Sequence, residues 1–465
     1  MKMSSLFLVA VFSALTCSAA GKAVRLASAE NKTLALQSAI DTAFGAGGGE
    51  VVVPCGEWHI GAIRLRSRVT LRLASGAKLV GSRNVEDYFI LEKDTVEPVD
   101  PAIISHDRWM LGDSYGRDTL TRYPGNRWNN GLIRLYKATD AAIVGEPGSV
   151  IFGNNPYDAM GEECYRGPLG VSAIDCTNLC FSGYTISDTG NWAHRLCDVK
   201  GLVVSNVTCL GGHDAVHIKG CDNVLIAGCM LKTGDDCIAG FDNRDVVVRD
   251  CVINSSCSAF RFAGRRVLIE KCRIYGPGEW GFRGGLTEEQ KIAGAPTPPG
   301  SSLGRNNMLS FFTYYSDVTH PIRDYAGEIV IRDCSVENAD RFLHYNFGHE
   351  AWQWGTPMKD IIFERITAKG IRDPLDAYGE HGDPATSCPL SLTFKSCEIE
   401  FRGSVPEFIR GGNVQRLMLD KVKVSGVDGP AFRSWAGSTE INATDVKGMK
   451  PEVQRGVGVW SSGAI

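Results

Sequence analysis

Through its middle third the chain repeats itself every 21 to 23 residues, and few architectures tolerate such a period. The repeat cores are Val204–Cys209, Val224–Leu231, Val246–Ile253 and Val267–Ile274. Their central apolar residues, preceded by Phe181, are Val204, Ile226, Val248 and Ile269, with steps of 23, 22, 22 and 21. Cys229, Cys251 and Cys272 fall three residues after the last three of them. A period this short, rich in β-branched residues and punctuated by Gly and Asn, predicts a stacked solenoid. The expected fold class is all-β, a single-stranded right-handed parallel β-helix with one turn per repeat and Phe181 to Ile269 in one interior stack. The repeat also measures distance. Asp214 and Asp236 are 22 residues apart, so they occupy equivalent places on adjacent coils, about 4.8 Å apart along the backbone. Asp235 adjoins them, and three carboxylates converge on the outside of a rod.

A solenoid grows by stacking, so 465 residues need not divide into several domains. The expectation is one domain over 21–465, interrupted near 86–130 and 276–326, where the rhythm fails. Residues 31–44, with Asn31 ahead of Leu36, Ile40 and Ala43, predict a capped helix. It would cover the open N-terminal end, where strand edges are otherwise unpaired. The two irregular stretches are aromatic and basic in one case and Gly- and Pro-rich in the other. Long loops of this kind build groove walls or lids, or shield core edges.

A formal net charge of -4, with no run of Lys and Arg, argues against a nucleic-acid partner. Lys2, the apolar run Leu6–Leu15 and the small residues Ser18-Ala19-Ala20 read as a signal peptide over 1–20. The protein is then expected to be periplasmic or extracellular. The apolar run is too short to span a bilayer, and no membrane span is expected elsewhere. Cys17 raises lipid anchoring, although Ala14-Leu15-Thr16 ahead of it matches a lipoprotein site poorly. Sixteen cysteines in an exported chain would suggest a disulfide framework. Stacked side chains run parallel, however, and a disulfide needs them turned toward each other. The expectation is therefore buried thiols acting as small hydrophobes. No Cys/His cluster has zinc spacing, so neither metal nor cofactor is expected, and a monomer is.

Two chemical roles are needed to hydrolyse a glycosidic bond, an acid for the leaving oxygen and a base for water. Crowded like charges resist joint ionisation, so one carboxyl of the cluster should titrate high. The stretch Gly220-Cys221-Asp222-Asn223-Val224 leading into Thr233-Gly234-Asp235-Asp236-Cys237-Ile238-Ala239 closely resembles glycoside hydrolase family 28, the polygalacturonases and their relatives. Gly47-Gly48-Gly49, Val51–Pro54, Gly56 and Leu65–Ser67 resemble the family's N-terminal segment, and Trp192 precedes the Asp214 coil as in the family. The resemblance spans roughly residues 30–430. It implies that Asp235 is the general acid, that Asp214 and Asp236 together hold the nucleophilic water, and that configuration inverts. The negative charge of that pair would keep Asp235 protonated.

The chain departs from the family where cations belong. The family's Asn-Thr-Asp is Gly212-His213-Asp214 here, and its Gly-His-Gly coil reads Ser256 to Gly264 with no histidine. Arg261, His217, His213 and His194 are candidate replacements. The Arg-Ile-Lys site is lost, with Arg283 the nearest arginine and no lysine following. In the family those cations meet the substrate carboxylate. Their loss favours a divergent pectic substrate, such as a rhamnogalacturonan backbone or a side-chain linkage, over plain homogalacturonan. His344, Glu350 and Trp352 could line the groove, Trp352 with a ring face matched to sugars, whereas Phe342 and Phe347 suit core packing. Two other readings stay open. A polysaccharide lyase on the same solenoid would use a base and often calcium. A non-catalytic glycan-binding relative would explain the lost histidine and lysine.

Overall fold

The computed structural model describes residues 23–26, 30–88, 130–298, 307–316, 325–350, 352–382 and 387–460. The expected signal peptide and most of the 86–130 interruption lie outside these residues.

Each coil carries three short strands, and each strand pairs in parallel with its counterparts on the coils before and after. On the first face Phe181 pairs with Val204, Val204 with Ile226, Ile226 with Val248, and Val248 with Ile269. The same column continues through Ile331, Phe363, Phe394 and Leu419. The expected interior stack therefore exists, and it runs well beyond the five coils that revealed it. A second face is built from strands such as His194–Cys197, Val216–Lys219 and the first half of Ile238–Arg249. The third face holds Thr208–Gly211, Met230–Thr233 and Val252–Ser255.

The period has a local cause. The residue after each first-face strand turns the corner in the left-handed region: Asn206, Gly228, Asp250, Lys271, Asp333, Arg365, Ser396 and Lys421 all have positive φ. Asn, Asp and Gly tolerate that conformation best, and they dominate this corner in the most regular coils. At the very next residue the side chain turns inward and forms the cysteine column. Cys229, Cys251 and Cys272 are buried free thiols, as expected, and Cys334 and Cys397 extend the column. Their thiols donate to backbone carbonyls, as Cys229 Sγ does to Val204 O at 3.6 Å. Because every coil presents an apolar column to the next, one continuous core runs from Leu36 to Phe432.

A helix over Lys32–Gly45 closes the N-terminal end, with Asn31 accepting from Leu34 N at 3.0 Å as its N-cap. It buries Leu36, Ala39, Ile40 and Ala43 on the first coils. The second interruption is shorter than the sequence suggests. Residues 276–298 leave the coil as a loop with a short capped helix, Glu288–Ile292, but Met308–Tyr314 is a regular strand of the second face. Its Phe311, Phe312 and Tyr314 fill the interior without the β-branched signature of the other coils. No helix among the described residues is long and apolar enough to cross a membrane.

Candidate active site

The second face positions the carboxylates. Val216 pairs with Ile238 and Ile238 with Phe260, so Asp214, Asp236 and Ser258 share one column two residues earlier. The adjacent outward column runs His217, Ala239, Arg261, Thr313, His344, Asp376 and Arg410. Gly234, just before Asp235, lies under the 276–298 loop: a Cβ there would sit 1.9 Å from Gly281 O. Glycine is required at that point for the loop to reach the acids.

The three aspartates have distinct surroundings. Asp214 is buried and accepts from His217 Nδ1 at 2.8 Å. Trp192 stacks on the His217 ring at 3.9 Å between centroids, which fixes its plane. Asp236 accepts from Ser258 N at 3.1 Å and lies 3.6 Å from Arg261 Nη1. Asp235 accepts from its neighbour Asp236 N at 3.1 Å and from Arg166 Nη2 at 3.1 Å. Burial, followed by the charges of Asp235 and Asp236, pushes the Asp214 carboxyl well above the usual range. Burial and Asp235 push Asp236 up to about 6. The stacked pair are thus high-titrating carboxyls, and Asp235 meets the Arg166 guanidinium.

Around these acids lies a cleft lined by Glu162, Glu163, Arg166, Trp192, His217, Arg261, Phe282, Tyr315 and Trp352. Arg261 stands over Tyr315 and Trp352, 4.6 and 5.4 Å from their centroids. Beyond Arg261 and Trp352 the cleft continues into a second compartment lined by Thr313, Arg341, His344, Glu350 and Gln353.

His217, Arg261 and Trp352 thus face the cleft with Asp214, Asp235 and Asp236. Three other candidates do not. His194 is fully buried in the solenoid interior, bonded to Tyr184 Oη at 2.8 Å and Ala215 O at 2.9 Å. Burial lowers its pKa to about 4, so it is a neutral core histidine. His213 packs under the loops against Tyr165, ring centroids 6.0 Å apart. Arg283 is buried and spends its guanidinium on Lys291 O and Ala295 O, both at 3.0 Å, so it holds its own loop together. His213 adjoins Asp214 in sequence, yet its ring is buried, and His194 and Arg283 are spent on the solenoid interior and on the 276–298 loop.

Sequence reasoning missed Arg166, Glu162, Glu163, Phe282 and Tyr315. Arg166 is buried and pairs with Glu163 at 3.1 Å besides Asp235. These residues stand on or beside loops that obey no period, so the ruler does not reach them. Among the described residues, one group of three could share an ion: Asp235, Asp236 and Cys257, with donor atoms within 4.8 Å. Two carboxylates and a thiol are a poor set for calcium, which takes six to eight oxygens. Arg261 already supplies the positive charge beside Asp236.

No family model matches the chain. A probable polygalacturonase of Vitis vinifera is 24% identical over 202 residues, 42% of this chain and 37% of the relative. Polygalacturonase QRT2 of Arabidopsis thaliana is 20% identical over 237 residues, 49% of this chain and 40% of the relative. The match therefore spans well under half of either relative. Among solved structures, a tailspike protein of E. coli bacteriophage HK620 aligns with a TM-score of 0.50 and 11% identity, over 92% of this chain and 75% of that one. The Yersinia enterocolitica family 28 exopolygalacturonase aligns at 0.49 and 14%, over 92% and 78%. The Thermotoga maritima exopolygalacturonase aligns at 0.46 and 12%, over 93% and 91%. By sequence the chain is similar to polygalacturonases as a divergent relative, and its fold is the parallel β-helix.

Proposed function

We propose that this chain is an exported, inverting glycoside hydrolase of the family 28 type. Its substrate would be a pectic, galacturonate-containing polysaccharide or oligosaccharide. The observation that carries the reading is three aspartates in one cleft, two on one solenoid column, flanked by Trp192, Tyr315 and Trp352. Aromatic rings of this kind suit the apolar faces of sugars. Polygalacturonase relatives support the same chemistry.

Asp235 acts as general acid, and Asp214 and Asp236 hold the attacking water. Acid and base of an inverting pair stand about 6.5–9.5 Å apart, leaving room for that water. The assignment of Asp235 to the leaving-group side follows the resemblance of Gly234-Asp235-Asp236 to the family's Gly-Asp-Asp. His217 and Arg261 orient the pair. Arg166 anchors Asp235, and the departing oxygen must compete with it for that carboxyl. That ion pair, with the high-titrating Asp214 and Asp236, also favours a second assignment in which the pair supplies the proton and Asp235 is the base.

Incubation with a panel of pectic oligosaccharides, read by chromatography and by NMR of the fresh anomeric proton, tests the reading. A new reducing end of inverted configuration is expected. An unsaturated uronate would mean a lyase, and intact oligosaccharide would mean a binding protein.

A further inference from the structure

The column that carries Asp235 changes character on the next two coils. Ile238 pairs with Phe260, so three residues earlier Cys257 lies on the coil after Asp235, in the same column. Ser258 pairs with Ser310, and Ser310 N donates to Cys257 O at 3.1 Å, so Leu309 follows one coil further. Cys257 and Leu309 thus stand about 4.8 and 9.6 Å along the backbone from Asp235. Ser255 locks the first step: its hydroxyl donates to Asp235 O at 2.6 Å and accepts from Cys257 N at 2.8 Å. Both side chains are half-buried, and both line the second compartment of the cleft.

The neighbouring columns of this face stay polar. One carries Ser258, Ser310 and Arg341, the other Arg261, Thr313 and His344. An apolar pair beside the acids is therefore the exception on this wall, and a partly exposed one calls for a partner. Burial, followed by the charges of Asp235 and Asp236, holds the Cys257 thiol well above its usual range, so it meets the cleft uncharged. The charged groups farther along are knitted to one another. His344 Nε2 lies 2.6 Å from Glu350 Oε2 and 3.2 Å from Arg341 Nη1, and His344 Nδ1 lies 3.0 Å from Asp376 Oδ2. Glu350 also accepts from Asn346 Nδ2 at 3.1 Å.

We propose that Cys257 and Leu309 are specificity-determining residues that receive a methyl group carried by the sugar bound C-terminal to Asp235. A 6-deoxy sugar and a methyl-esterified uronate both carry such a group. Seating it against the thiol and the leucine side chain removes apolar surface from water on both partners. A hydroxymethyl group or a free carboxylate in the same place would give up its water for a surface that offers at most a weak thiol donor. The pair therefore selects for the methyl and against its polar counterparts. This rests on the cleft being a glycan site, but not on its catalysing hydrolysis.

The test is titration calorimetry on an Asp235→Asn background with two matched pairs of galacturonate-containing oligosaccharides. One pair carries L-rhamnose or L-mannose at the same position, which differ by a single hydroxyl. The other pair is an oligogalacturonate and its methyl ester. The background should prefer the methyl-bearing member of at least one pair, and the pair in which it does so identifies the source of the methyl. Leu309→Asn should weaken binding of that member about 10-fold, and Cys257→Ser about 4-fold. Affinity for its polar counterpart should hold, which also shows that the variants are folded. Equal losses on both members, no loss in either variant, no preference in either pair, or no binding of any probe would each overturn the proposal. A background that discriminates as expected while wild type cleaves nothing would remove only the hydrolase reading.

Discussion

The inside and the outside of the same coils obey opposite rules. Inside, the columns headed by Ile226 and Cys229 are apolar, uncharged and repeated on almost every coil. Outside, a few residues from the same backbone, the column of Asp214 and Asp236, gather like charges that favour neither each other nor their own burial. The first arrangement stabilises the rod, and the second draws on that stability to keep carboxyls in an unfavourable state. A solenoid suits this division because each coil holds its neighbours in register whatever it carries outside.

The largest effect should come from breaking the inside. Ile226→Ala removes a fully buried side chain from a packed column and should destabilise by about 2–5 kcal/mol. Ile226 faces neither compartment of the cleft, so kcat per folded molecule should hold. Chemical denaturation with an active-site titration checks both, and a large fall in kcat with stability intact would merge the two regions.

Changing the outside should act with the opposite sign. The folded pKa of Asp236, about 6, lies above its unfolded value near 3.9. The unfolded state therefore releases its proton first as pH rises, and stability is lost across that window and stays lost above it. Asp236→Asn should then stabilise the protein at pH 7 by about 1–3 kcal/mol, the gain fading as pH falls toward 4. Thermal melts at pH 4, 5, 6 and 7 measure it. A variant less stable than wild type at pH 7 would show that the aspartate supports the fold.

The same contrast marks what the sequence could reveal. The ruler that aligned Phe181 to Ile269 also aligned Asp214 with Asp236 and found the cysteine column, because equal spacing along the chain becomes stacking in space. It failed at Met308–Tyr314, where Phe311 and Phe312 fill the interior in place of β-branched residues after a long excursion. It could not find Arg166 or Phe282, whose loops have no period. The search for replacements of the family's missing cations misled for His194, His213 and Arg283: the first two are buried, and Arg283 bonds carbonyls of its own loop. His344 and Glu350 were visible as groove candidates. Their joint grip on one ring nitrogen with Arg341 depends on a loop folding back over a strand.

The central claim is that Asp235 donates the proton to the leaving oxygen while Asp214 and Asp236 hold the water. The most direct measurement compares Asp235→Asn with wild type on paired glycosides of the same sugar, one with an ordinary sugar leaving group and one with an acidic phenol that needs no protonation. Loss of a general acid should cost about 10²–10⁴ in kcat on the first and far less on the second. An equal loss on both substrates would contradict the account and pass the role of base to Asp235, and full activity on both would remove this cluster from the chemistry.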